Sequence, residues 1–210
     1  MSAEAVLPFR ILDAELHGRA EGGDSMGMPA TELWTVDQLW TVPDDGQRRE
    51  IIDGELFVSP SPVWSHQYVV DELARAIHAY LRRYRIAKVL TAPADVVFGP
   101  RTLVQPDILV VPLVDGRPPG DYREAGRLLV AVEVLSPGTA RRDRGAKRLL
   151  YQRENVAEYW IVDPDARLIE RWRPADERPE VLSDRLTWKP ASAAEPFLLD
   201  VQEFFASAAE

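Results

Sequence analysis

Leu128-Leu129-Val130-Ala131-Val132-Glu133-Val134-Leu135 is almost wholly apolar and is closed by the turn formers Ser136-Pro137-Gly138-Thr139. A short run that is apolar on both parities has the pattern of a central strand covered on both faces. One carboxylate interrupts it, and that carboxylate constrains the rest of the chain. An ionised Glu taken out of water costs several kcal/mol unless a cation or strong donors meet it. Other segments must therefore bring partners to Glu133.

Two segments offer them. From Thr139 to about Glu154 the pattern is helical, with Asp143, Lys147 and Tyr151 at four-residue spacing on one face. Ala146, Leu149 and Leu150 form an adjoining apolar stripe expected to pack on the sheet. Upstream, Gln105 to Pro112 reads as a second short strand with Asp107 at its mouth. Two carboxylates at neighbouring strand ends beside a Lys suit a hard divalent cation and a phosphodiester.

The remaining elements suggest a mixed sheet flanked by helices, an α/β fold. Residues 1–30 are weakly periodic and end in a Gly-rich stretch, which predicts a loose extension ahead of one domain over 31–210. Thr35 to Trp40 reads as a short capped helix. Arg49 to Val58 carries Asp53-Gly54 between two apolar-alternating runs, a strong hairpin signal. Ser65 to about Arg85 is a long amphipathic helix that Ser65 can cap. Strands are expected over Lys88–Ala92 and Ala94–Phe98, with Pro93 making one an edge or bent strand. Further strands are expected over Glu158–Asp163, Leu168–Trp172, Glu180–Leu182 and Phe197–Leu199. A polar loop is expected over Asp115–Arg127 and a last helix near Val201–Phe205.

Cysteine is absent, which removes disulfides, thiolate metal sites and a Cys nucleophile. No apolar run approaches the length of about 20 residues that a membrane helix needs, and the acidic N-terminus is unlike a secretory signal. A cytoplasmic protein is expected. The formal net charge of −9 argues against nucleic-acid binding spread over the whole surface. Arg141, Arg142, Arg144 and Arg148 nevertheless crowd the helix after the central strand and are candidate nucleic-acid contacts, or else a solvated helix face.

Taken in order, Glu50-x-x-Asp53-Gly54-Glu55, His66-Gln67, Pro106-Asp107, Glu133-Val134-Leu135-Ser136-Pro137, Asp143-x-x-x-Lys147-x-x-x-Tyr151 and Glu158-Tyr159-Trp160-x-Val162-Asp163-Pro164 resemble the Uma-type endonuclease family. That family lies in the restriction-endonuclease-like superfamily, whose core motif is PD-(D/E)XK. The resemblance covers roughly Thr31 to Glu210. It implies a mixed four- or five-stranded sheet with helices on both faces, and a nuclease acting on DNA with Mg²⁺ or Mn²⁺.

By the same resemblance Asp107, Glu133 and Lys147 are the catalytic set. Asp107, Glu133 and the Val134 carbonyl are the metal ligands, with Glu55 a further candidate. Glu50, His66, Ser136, Asp143 and Tyr151 support them. A homodimer is the usual way for such a fold to reach both strands. The chain departs from the superfamily motif at Leu135, where a Lys is expected; strand parity would have pointed it with Glu133, and Lys147 resembles a migrated substitute.

Each residue also has a plainer reading. Glu133 can be a buried ion pair with Lys147, Asp107 an Asx-type turn, Asp143 an i,i+4 partner of Lys147, and His66 a structural residue on the buried stripe. Trp160 and Trp172 are expected in the core. Two alternatives to a nuclease stand: a nuclease-fold binding module for nucleic acid or protein, and a metal-dependent hydrolase of a small phosphorylated substrate.

Overall fold

The computed structural model describes residues 33–209, so the extension expected over residues 1–30 lies outside it. The first helix, α1 (Val36–Trp40), is held by a capping box in which the Thr35 hydroxyl accepts from the Gln38 N–H while the Gln38 side chain accepts from the Thr35 N–H. Asp53-Gly54 then makes the expected hairpin of β1 (Arg48–Ile52) and β2 (Glu55–Ser59). Both turn residues have positive φ, 52° and 90°, as a two-residue turn of this kind requires. Gly54 also lacks room for a side chain, because a Cβ there would lie 2.8 Å from that of Leu33.

Val69, Val70, Leu73, Ile77 and Leu81 are the buried stripe of α2 (Trp64–Tyr84). Ser65 does not cap it. The helix starts a residue earlier, at Trp64, and Val63 takes the capping position with no side-chain hydrogen bond. There follow β3 (Ala87–Thr91), β4 (Val96–Gly99), β5 (Thr102–Val104) and β6 (Ile108–Pro112). Pro93 falls in the connection between β3 and β4 and interrupts neither. One turn of helix, α3 (Tyr122–Ala125), lies inside the expected loop, capped by Asp121.

The Glu-bearing strand, β7 (Val130–Val134), is buried at every position. The helical segment after it has three parts: α4 (Ala140–Arg142), a π-helical turn (Asp143–Lys147) and α5 (Arg148–Arg153). The chain finishes with β8 (Glu158–Asp163), β9 (Leu168–Trp172), β10 (Glu180–Leu182), β11 (Arg185–Trp188), β12 (Phe197–Asp200) and α6 (Val201–Ser207).

Pairing gives a six-stranded mixed sheet, β10-β9-β8-β7-β6-β3, a four-stranded sheet, β2-β1-β5-β4, and the pair β11-β12. This exceeds the four or five strands that the resemblance implied, because β3 and β10 complete the two edges and the hairpin joins a sheet of its own. β7 and β8 run parallel, joined by the helical crossover, while β6 and β9 flank them antiparallel. Val130, Val132, Val134 and Trp160 pack against α2 and α6 on one face. Ala131, Tyr159 and Ile161 pack on the other face against Leu150 and Tyr151 of α5 and against Ile52, Val96 and Val104 of the second sheet. Glu133 shares the parity of Ala131 and so emerges on this second face.

Leu149 does not join the stripe: it is 56% exposed. With Lys147 turned inward, a residue two positions on stands roughly 200° around the helix. Trp160 and Trp172 are core residues, as expected.

Candidate active site

Strands of two sheets and two helical segments meet at the C-terminal end of β7. Glu133 projects from β7, and Asp107 from the residue before β6. Arg48 and Glu50 are two apart on β1 and so share its inward face. The helical crossover contributes Arg142, Asp143, Lys147 and Tyr151, and α2 contributes His66 from its first turn.

Lys147 Nζ lies 2.7 Å from Glu133 Oε1 and 2.8 Å from Glu50 Oε1, and its side chain is fully enclosed. The Tyr151 hydroxyl donates to the same Glu133 Oε1 at 3.1 Å. Both donors use one oxygen, so Glu133 Oε2 is left facing Arg48 NH2 at 3.6 Å. Glu50 also accepts the Gln105 N–H at 2.8 Å and faces Arg142 NH2 at 3.3 Å. Asp143 is looser, 3.9 Å from Lys147 Nζ, and both its oxygens are buried without a hydrogen-bond partner.

Asp107 makes no Asx turn. Its Oδ2 accepts the Val134 N–H at 2.8 Å and its Oδ1 accepts from Arg48 NH1 at 2.7 Å. His66 Nε2 lies 3.2 Å from Asp107 Oδ2 and 3.1 Å from the Val134 carbonyl. Two acceptors on one ring nitrogen require the hydrogen at Nε2. His66 therefore joins the two strand ends by hydrogen bonds to Asp107 and to the Val134 carbonyl.

The electrostatics follow the contacts. Burial works against ionised Asp107, but the hydrogen bond from His66 and the Arg48 charge outweigh it and hold the carboxyl at about 2. Glu133 goes the other way: burial, with Asp107 and Asp143 nearby, pushes it up to about 8 against the pull of Lys147 and Arg48. Burial likewise raises Asp143. Burial opposes the charge on Arg48, yet Glu133, Glu50 and Asp107 together raise its pKa, so it is a fixed cation.

Among the described residues no three His, Cys, Asp or Glu side chains are grouped to hold a metal ion. What the site does offer is oxygen: Asp107, the Oε2 of Glu133 that neither Lys147 nor Tyr151 engages, and the Val134 carbonyl. One or two carboxylates completed by waters or substrate phosphate is the usual protein share of a Mg²⁺ site. The donor chemistry fits a hard divalent cation.

The hairpin acid in the cluster is Glu50. Glu55 is exposed beside the turn, opposite Ile52. Ser136 exchanges a hydrogen bond with the Thr139 hydroxyl at 3.0 Å and lines the cavity over Asp107 and Glu133. The four arginines are divided. Arg142 reaches into that cavity, donating to Ser59 Oγ at 2.8 Å and lying over the Phe57 ring. Arg144 is paired to Asp163 and Glu170. Arg148 lies over Trp172 and donates to Gln152. Arg141 is exposed. The residue that the sequence reading missed is Arg48, although its two-residue spacing from Glu50 already put both on one strand face.

Comparisons with known proteins bear on the fold and the family. The crystal structure of a putative nuclease belonging to DUF820 from Anabaena variabilis ATCC 29413 matches with a TM-score of 0.69 at 23% identity, over 83% of this chain and 99% of that one. That likeness carries the fold. A search of curated proteins finds no match. The model of the family Uma2, described as "Putative restriction endonuclease", matches residues 36–202. That span is most of the chain, so the protein belongs to the Uma2 family.

Proposed function

We propose that the protein is a divalent-metal-dependent endonuclease that hydrolyses phosphodiester bonds in DNA. The observation that carries this reading is the convergence of Asp107, Glu133 Oε2 and the Val134 carbonyl in the lining of a cavity of about 210 Å³. DNA as substrate rests on the family description. Asp107, Glu133 and the Val134 carbonyl would hold the cation. When bound, Mg²⁺ or Mn²⁺ supplies Lewis acidity at the scissile phosphate and acidifies water for attack.

The protein's own groups do the positioning. The Val134 N–H and His66 fix the Asp107 carboxylate. Lys147 and Tyr151 grip one oxygen of Glu133 and leave the other turned towards Arg48 and the cavity. Lys147 is enclosed, so it acts on Glu133 and through it on the reaction, as a positioning residue. Arg142 and Ser136 line the same cavity, and there they would meet phosphate oxygens. A homodimer would present two such cavities to the two strands of a duplex.

A nuclease-fold module that binds without cutting is the second reading. The enclosure of Lys147 and the net charge of −9 favour it. Calorimetric titration of Mn²⁺ into wild type, Asp107→Asn and Glu133→Gln separates the two. A nuclease binds one ion per chain and loses it in both variants, with cleavage of plasmid DNA lost in parallel. If wild type takes up no Mn²⁺ with or without DNA, the binding module is the correct reading.

A further inference from the structure

Arg48 reaches into the gap between Asp107 and Glu133. Its NH1 donates to Asp107 Oδ1 at 2.7 Å, while NH2 lies 3.6 Å from Glu133 Oε2 and 3.6 Å from Glu50 Oε1. Only the first is a hydrogen bond. Nε and NH2 are buried with no hydrogen-bond partner at all. A guanidinium kept for structural pairing ordinarily uses its planar fork against a carboxylate. This one spends one donor and leaves the rest idle. Charge holds it there, not geometry.

It also has somewhere to go. The cavity of about 210 Å³ over Asp107 and Glu133 and a second of about 510 Å³, bounded by Gln47, Gln67 and Gln105, share Arg48, Pro62, His66 and Asp107 in their walls. The Arg48 side chain is a partition between two open spaces. Charge points the same way: among the described residues Asp107 meets Arg48 and no other Arg or Lys, so a cation that takes the place of Arg48 also takes over its charge-balancing role.

We infer that Arg48 and a divalent cation are alternative occupants of the gap between Asp107 and Glu133, Arg48 swinging into the larger cavity when the cation enters. The inference rests on the metal-dependent reading above. Arg48 is then a gating residue: it neutralises the cleft while no ion is bound, and once displaced it offers its free fork to a phosphate.

The test is calorimetric titration of Mn²⁺ into the whole chain with Arg48→Met and Arg48→Lys. Arg48→Met is expected to bind Mn²⁺ about tenfold tighter than wild type or more, since a competing unit charge has been removed. Arg48→Lys keeps the charge that holds Arg48 in place and is expected to bind Mn²⁺ about as wild type does; Arg48→Ala, expected to bind tighter, carries the test if Arg48→Met does not fold. Methylguanidinium at millimolar concentration is expected to weaken Mn²⁺ binding by Arg48→Ala and leave wild type unaffected. Binding by wild type with equal or weaker binding by Arg48→Met and Arg48→Ala, or with Arg48→Lys as tight as Arg48→Met, overturns the inference and leaves the metal reading standing. No Mn²⁺ binding by any of them overturns both.

Discussion

Lys147 Nζ lies between Glu133 Oε1 and Glu50 Oε1, at 2.7 and 2.8 Å, with none of the lysine side chain exposed. One enclosed cation thus serves a strand of each sheet. Removing one member of a buried pair leaves the other charge uncompensated, which typically costs about 3–5 kcal/mol. Lys147→Met is expected to lose that much stability in urea denaturation. The double variant Lys147→Met/Glu50→Gln is expected to recover part of it, because Glu50, which Lys147 holds ionised, is the charge left stranded. A single-variant loss under about 1 kcal/mol would mean that Arg48 and Arg142 balance Glu50 without Lys147.

The opposite shifts of Asp107 and Glu133 predict an unusual pH profile for the metal-free protein. Asp107 is held at about 2 in the folded chain against an ordinary 3.8. A depressed carboxyl stabilises above its unfolded pKa, and that contribution, about 2 kcal/mol, is lost as pH falls from 3.8 towards 2. Glu133 is raised from 4.5 to about 8. Its folded form keeps a proton that the unfolded chain has released, so stability falls as pH rises from 4.5 to 8. Urea midpoints are expected to peak at about pH 4–5. Asp107→Asn should flatten the acid limb and Glu133→Gln the alkaline one. Midpoints that climb from pH 5 to 8 would show Glu133 ionised throughout.

Much of this cluster is legible in the order and spacing of the residues. The β7 pattern, the Asp53-Gly54 turn and the α2 stripe depend on local periodicity, and all three form where the residues require. Glu133 needs a partner, and Lys147 is the nearest cation in register. What stays hidden is non-local or too short. β5, of three residues, is buried throughout and shows no alternation, and β11 alternates over only four. Nothing in the sequence says that the hairpin forms a second sheet and swings Glu50, rather than Glu55, towards β7. The fate of the arginines is equally hidden, because Asp163 and Glu170, which claim Arg144, lie on strands folded back from further along the chain.

Tyr159 holds the π-helical turn from the neighbouring strand. Its buried hydroxyl donates to the Asp143 carbonyl at 3.0 Å, at the first residue of the turn that carries Lys147. Tyr159→Phe removes that donor, at an expected cost of about 0.5–1.5 kcal/mol. Amide exchange at residues 143–148 should quicken more than in β7. Uniform quickening across both would make Tyr159 a packing residue only.

Arg142 and Arg144 are two residues apart yet face different tasks, and DNA binding should distinguish them. Arg142 opens onto the cavity beside Ser136, whereas Arg144 is spent on Asp163 and Glu170 at the sheet edge. A phosphate contact reveals itself in salt dependence, since each one lost lowers the slope of log K against log salt by about 1. Arg142→Ala and Arg141→Ala are each expected to reduce that slope for duplex DNA, and Arg144→Ala to leave it unchanged. Arg142 also faces Glu50 at 3.3 Å, so its loss carries a stability cost that Arg141→Ala does not share. The comparison is therefore best made by fluorescence anisotropy at a temperature where circular dichroism shows every variant folded. Equal slopes for wild type and all three variants would move the DNA-binding surface away from the helix that carries Lys147.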